Sequence, residues 1–163
     1  ITADETNVPK SGNEAEGCVF DDENKHLLIS REGERGYLKA FKSDTLEMIK
    51  VVDSRDGNIT GDPEGVAIYA TSENDGYIIL SSQGGNEFNL YDRQNLTFIE
   101  KFKINGVEDT DGLDVTNNQV KGIFPNGFLV VQDGRNLPSN QNFKIISMEE
   151  VLKKKLSHHG STH

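Results

Sequence analysis

Cysteine is almost missing from this chain. Cys18 stands alone, so no internal disulfide can form and no thiolate cluster can hold a metal, which leaves the redox compartment open. Tryptophan is absent, methionine occurs twice and proline four times, against 16 glycines. That balance disfavours a helical bundle and favours a turn-rich β protein. Positive charge is scarce: 17 lysines and arginines face 27 acids, for a net charge of −10 and an isoelectric point near 4.8. Nucleic acid and anionic membranes are therefore poor partners, and cations are the natural ones. An anionic substrate would need bound metal, or basic residues gathered locally, to reverse the field. No apolar run approaches the ~20 residues that span a bilayer, so the chain is expected to be soluble. It opens at Ile1 rather than methionine and shows no signal-like segment, so it reads as a mature or trimmed piece of something longer.

The 163 residues suffice for one domain with a real core. Residues 1–13 (ITADETNVPKSGN) carry no apolar period and read as a linker or ragged edge. From residue 14 to 156 short apolar runs alternate with polar turns, the pattern of antiparallel strands. The first set is Gly17–Phe20, Leu27–Ser30, Tyr37–Phe41 and Met48–Val52. The second is Val66–Tyr69, Tyr77–Ser82, Glu87–Tyr91 and Thr97–Ile104. The third has only Leu113–Thr116, Phe128–Gln132 and Asn142–Ile146, after which Met148, Val151, Leu152 and Leu156 could share one face of a short helix. Residues 157–163, with three of the four histidines, read as a tag or vector remnant.

An acid before a glycine recurs at the head of each set: Glu16-Gly17, Glu64-Gly65 and Asp111-Gly112. The steps are 48 and 47 residues. Three strand sets at this period predict β-propeller blades, each a four-stranded antiparallel sheet. A solenoid or simple sandwich is the competing architecture, but a sandwich would not require the acids at one repeat position. Three blades cannot close a ring, so the expectation is about three blades of a six-bladed propeller, the fourth strand of the last coming from elsewhere. The first strand of each blade lines the channel, and residues just before it lie at the channel mouth. Glu16, Glu64 and Asp111 would then converge there, with Asp62 and Asp109 beside them. Such carboxylates repel one another unless a cation sits between them, and all-oxygen donors suit Ca²⁺ or Mg²⁺, Ca²⁺ best tolerating a crowded shell. Acid-glycine pairs are also ordinary turn chemistry. It is their shared register that points to metal.

Gln83, after the strand ending in Ser82, and Asp133 with Asn136, after the strand ending in Gln132, offer further oxygens in the same register. Asn58-Ile59-Thr60 and Asn95-Leu96-Thr97 match the glycosylation sequon, a pattern common by chance. His26 reads as a turn or surface residue. No phosphate loop precedes a helix, and no Ser-His-Asp set is credible. Lys101, Lys103, Lys121, Arg135 and Lys144 read mostly as a solvated face.

The strings EAEGCVFDDENKHLLISRE, GDPEGVAIYATSENDGYIILSSQGGNEFNLYDRQ, DTDGLDV and FLVVQDGRN, followed by NQNFKII, closely resemble the C-terminal half of the β-propeller phytases, from about Glu14 to Leu152. The resemblance implies a six-bladed, calcium-dependent enzyme that releases phosphate from phytate (myo-inositol hexakisphosphate), found mostly in secreted or periplasmic form. It also implies that Glu16, Glu32, Asp62, Glu64 and Asp111 form the catalytic calcium cluster, and that Gln83, Asp133 and Asn136 ligate another calcium. One family acid before DTDG is missing or replaced by Glu108 or Asp109. The family's DDPA-type and NNVD-type motifs, with most of the basic residues that grip phosphate, belong to the N-terminal half and do not occur here. The chain is thus expected to bring much of a calcium cage and to need the missing half, from the same parent chain or a partner, for turnover. A non-catalytic calcium-binding module is the alternative.

Overall fold

Polar turns rich in glycine, aspartate and asparagine separate the apolar runs, so successive strands start 11 to 15 residues apart and build meanders. In the computed structural model, which describes residues 1–3 and 14–158, the first sheet comprises β1 (Ala15–Asp21), β2 (His26–Arg31), β3 (Tyr37–Lys42) and β4 (Met48–Ser54). The second comprises β5 (Asp62–Ala70), β6 (Gly76–Gln83), β7 (Glu87–Asp92) and β8 (Phe98–Phe102). Both are antiparallel in sequence order. The third has β9 (Leu113–Thr116), β10 (Phe128–Asp133) and β11 (Asn142–Ser147), and among the described residues no fourth strand joins it. Helix α1 (Met148–His158) follows, two residues longer than its apolar spacing suggests. The linker expectation for 4–13 and the tag expectation for 159–163 fall outside the described residues.

The sheets stack as blades. First strands lie side by side, β1 against β5 and β5 against β9. Alternation sends Leu28, Leu38 and Ala40 of the first blade against Val66, Ile78, Leu80 and Tyr91 of the second. The second blade's other face sends Tyr69, Ile79, Phe88 and Leu90 against Leu129 and Val131 of the third, where Met148 and Val151 of α1 close the core. Covered on both faces, β6 buries Ile78, Ile79 and Leu80 completely, which is why its sequence is a continuous apolar run rather than an alternating one. Each such side chain contributes about 1.5–3 kcal/mol of burial. The outward faces of the end blades have no such cover and leave Phe20, Val51, Phe143 and Ile145 between 41% and 68% exposed. The fold is three blades of a β-propeller, not closed into a ring.

Because every blade starts in the same direction, all first-strand beginnings and all second-to-third-strand turns gather at one end, the upper one. The lower end holds the first-to-second and third-to-fourth strand turns and a buried clamp between the first two blades. Arg93, 2% exposed, donates from Nε to Asp21 Oδ2 at 2.8 Å and from Nη2 to Asp21 Oδ1 at 2.7 Å. Nη1 reaches the carbonyls of Ser72 and Asp75, and Nη2 also reaches Glu23 at 3.1 Å. Burial works to raise the Asp21 pKa, but the hydrogen bonds from Arg93 and Asn24 outweigh it and hold the carboxyl below its usual range.

Candidate functional site at the upper end of the axis

Two of the acid-glycine steps, Glu16-Gly17 and Glu64-Gly65, lie inside the bulged beginnings of β1 and β5, while Asp111-Gly112 lies just ahead of β9 as the strand pattern suggested. In β1 the pairing with β2 slips between Ala15 and Cys18, and in β5 the pairing with β6 slips between Pro63 and Val66. A bulge turns the extra residue out of the ladder, which re-aims Glu16 and Glu64 toward the axis. The glycines that follow are sterically required. A Cβ on Gly17 would stand 2.6 Å from the Glu64 carbonyl oxygen, and one on Gly65 would stand 2.5 Å from that of Asp111. Gly65 N–H in fact donates to the Asp111 carbonyl at 2.7 Å.

Three carboxylates meet here. Glu16, Glu32 and Glu64 each place an oxygen within 4.8 Å of the others, although Glu32 comes from the end of β2 rather than from a first strand. Glu16 is exposed, Glu32 half-buried and Glu64 only 5% exposed. Burial, a hydrogen bond shared with Glu32, and the charges of Glu16, Glu32 and Asp111 push the Glu64 pKa up to about 9. Without a cation, then, Glu64 holds a proton at neutral pH. Asp111 lines the same cavity as Glu16 and Glu64, as do Cys18 and Leu113. The donor set is carboxylate oxygen throughout, and among the described residues no lysine or arginine forms an ion pair with Glu16, Glu32 or Glu64. A hard divalent cation fits these residues.

The other expected ligands divide between two neighbouring depressions. Asp62, Gln83, Asp109 and Asp111 line one, in which Gln83 donates its amide to Asp111 Oδ1 and Arg55 forms an ion pair with Asp62. Asp109 is held there by its N–H donating to Asn86 Oδ1 at 3.0 Å. Asp133 and Asn136 line a separate depression with Glu108 and Arg135. Gln83 thus sits apart from these two. Lys144 approaches Asp133 Oδ2 at 3.3 Å and donates to Asn136 Oδ1 at 3.0 Å, so the chain's own ammonium stands between them. The basic residues read as solvated are largely engaged: Lys101 and Lys103 with Glu87, and Arg135 with Glu108. His26 lies at the lower end, opposite Asp21 and Lys42 in the ladder.

Three residues that sequence reasoning passed over share one register, Ser30 and Ser81 opposite the bulges and Gln132 just past the Leu113–Val131 pair. Ser30 of β2 accepts the Gly17 N–H at 2.8 Å and donates to the Glu64 carbonyl. Ser81 of β6 donates to the Thr110 carbonyl at 2.9 Å. Gln132 of β10 accepts the N–H groups of Asp111 and Gly112 at 3.0 and 3.3 Å. The available signal was a polar residue ending the apolar run of each second strand within two residues of its end.

Fold and site together define a partial β-propeller with a cluster of acids at one end of its axis. The chain belongs to the phytase family, whose profile matches residues 4–161. A 3-phytase of Bacillus subtilis strain 168 is 35% identical over an alignment that covers 93% of this chain and 43% of that protein. The chain therefore spans less than half the length of this curated relative. Among solved structures, a luciferin-regenerating enzyme matches with a TM-score of 0.55 at 15% identity, over 82% of this chain and 45% of that one. The PQQ-bound aldose sugar dehydrogenase of Streptomyces coelicolor matches with a TM-score of 0.51 at 15% identity, over 80% and 41%. At such identities the likeness concerns the fold alone.

Proposed function

We propose that this chain supplies the cation-binding half of a calcium-dependent phytase, a hydrolase of phosphate monoesters on myo-inositol hexakisphosphate. The observation that carries the reading is the convergence of Glu16, Glu32 and Glu64 within 4.8 Å, with no basic side chain among the described residues ion-paired to them. Family membership and the 3-phytase relative support the reaction class. Calcium, when bound, would offset the carboxylates, draw substrate phosphates to an otherwise acidic surface and lower the pKa of the attacking water. The chain's own residues do the holding. Glu16 and Glu64 present oxygens from first-strand beginnings, Glu32 from just past β2 and Asp111 from just before β9, and the Gln83 amide orients Asp111. Asp62, Asp133 and Asn136 complete the proposed ligand set from the adjoining depressions. Calcium is preferred over magnesium because its larger, irregular shell of six to eight oxygens suits donors spread over three strand ends and several turns.

Turnover requires the remaining blades. The exposed apolar faces of the first and third blades are surfaces that further blades would cover, and the basic residues that grip phosphate belong to that part. An extracytoplasmic location, secreted or periplasmic, belongs to the same reading through the family. A second reading, a non-catalytic calcium module, is favoured by Arg55 at Asp62 and Lys144 at Asp133, which already neutralise two of the expected ligands.

Phosphate release from phytate, measured with and without Ca²⁺ on the longest parent polypeptide and on this chain, separates the two. The expected result is calcium-dependent release by the parent, lost in Glu64→Ala and Asp111→Ala. Release that persists after full chelation rejects the metal-dependent mechanism, and calcium binding without release by the parent favours the module.

A further inference from the structure

The cation site proposed above rests on acids, but their separation is set from behind by hydroxyl groups. Ser30 and Ser81 are both fully buried. Ser30 lies at a three-way junction: it accepts the Gly17 N–H at 2.8 Å, lies 3.2 Å from the Gly17 carbonyl oxygen, and donates its single proton to the carbonyl of Glu64. One hydroxyl thus ties the main chain beside Glu16 to the main chain of Glu64 across the boundary between two blades. Ser81 stands at the equivalent place one blade further on, where its hydroxyl donates to the Thr110 carbonyl, immediately before Asp111, at 2.9 Å. There the β5 bulge reaches the next blade directly, through the Gly65 N–H to the Asp111 carbonyl. The two serines occupy the same place in their sheets. Ser30 stands opposite the β1 bulge, just past the Cys18–Ile29 pair, and Ser81 opposite the β5 bulge, just past the Val66–Leu80 pair.

We propose that Ser30 and Ser81 are positioning residues that help fix the spacing of the cation-binding carboxylates by holding the next blade's main chain at its acid, Ser30 tying it also to the β1 bulge. The physical basis is that a bulge removes its extra residue from the ladder and leaves main-chain groups without strand partners. Buried groups of that kind must find other partners, and here Ser30 serves the Gly17 N–H and the Glu64 carbonyl while Ser81 serves the Thr110 carbonyl. With the Ser30 latch removed, a short shift of β1 against β5 changes every Glu16–Glu64 and Glu32–Glu64 oxygen distance. Groups that orient metal ligands from behind in this way typically alter affinity by about 10–100-fold when removed. The inference rests on the cation-binding reading, and its test keeps the two apart.

The test is isothermal titration of Ca²⁺ into the parent polypeptide and into Ser30→Ala, Ser81→Ala, the double variant and Ser30→Thr, each also followed by thermal melting without metal. Expected are a roughly tenfold or greater loss of calcium affinity in Ser30→Ala, a larger loss in the double variant, and recovery in Ser30→Thr, which keeps the hydroxyl. A second readout needs no metal. Crystal structures of the metal-free parent and of Ser30→Ala should show the Glu16–Glu64 and Glu32–Glu64 oxygens further apart in the variant. Should the double variant stay folded, bind calcium as the parent does and keep those separations, the latch is refuted while the cation site stands. Lowered melting temperature with unchanged affinity would equally refute it, leaving the serines a purely structural role. If the parent itself binds no calcium, the failure belongs to the functional reading, and the separations alone then decide the latch.

Discussion

The boundary between the first two blades meets the same problem at its two ends and meets it in opposite ways. At the lower end a carboxylate is buried with a built-in cation: Asp21, 2% exposed, lies in the fork of Arg93. At the upper end Glu64, 5% exposed, has only other acids near it and keeps a proton instead. The first arrangement is complete without any outside partner, whereas the second is not. A chain that places arginine against one buried acid leaves Glu16, Glu32 and Glu64 within 4.8 Å of one another without a basic partner among the described residues. That contrast, more than the number of acids, is what the proposed cation site rests on.

The largest effect should come from breaking the complete end. Arg93→Met leaves Asp21 buried without its partner and should cost about 3–5 kcal/mol in urea unfolding. Asp21→Leu combined with Arg93→Met should recover much of that loss, because replacing both partners removes the uncompensated charge. Next comes filling the incomplete end. Calcium at 100 times its Kd should stabilise the fold by about 2.7 kcal/mol, and Glu64→Gln should abolish most of the gain.

The pH dependence sharpens the comparison because its sign reverses between the ends. Glu64 is raised from 4.5 to about 9 in the fold, so the metal-free protein should lose stability as pH rises through that window, when the unfolded chain sheds its proton first. Asp21 is lowered, so its contribution is present at neutral pH and is lost as pH falls through the acid range. Melting temperature against pH, measured without metal, should therefore decline on both sides. Glu64→Gln should flatten only the alkaline side, as should saturating calcium. The smallest effect belongs to a pair that resembles the clamp but lies in water. Lys42 and Glu47 approach to 2.9 Å with both side chains more than half exposed, and Lys42→Ala should leave the melting temperature unchanged.

The strands and their grouping were legible because period-two alternation and glycine-rich turns are local signals. The eleven expected strands all form, with ends within a few residues of those read from the pattern. The recurring acid was legible for the same reason, since Glu16, Glu64 and Asp111 hold one place in a repeat. Glu32 was not: it reaches the cluster from a second strand, and only the family resemblance pointed to it. Contacts between blades left no mark in the sequence. Arg93 meets Asp21 across 72 residues, and Ser30 meets Glu64 across 34, with nothing nearby to announce either. The division of Gln83 from Asp133 and Asn136 was hidden too, because strand-end register gives the height of a residue along the axis but not the depression it faces.

The glycines after the acids carry a last consequence. Gly17 and Gly65 let neighbouring innermost strands touch main chain to main chain, so peptide groups limit how closely the strands approach at the mouth, and the serine hydroxyls hold them at that approach. An iris made of backbone cannot be retuned by swapping one carboxylate for another. Aspartate in place of glutamate shortens a side chain but leaves the frame where it was, while one methyl group on either glycine would force the leaves of the iris apart. The width of the mouth is therefore written in residues other than its acids.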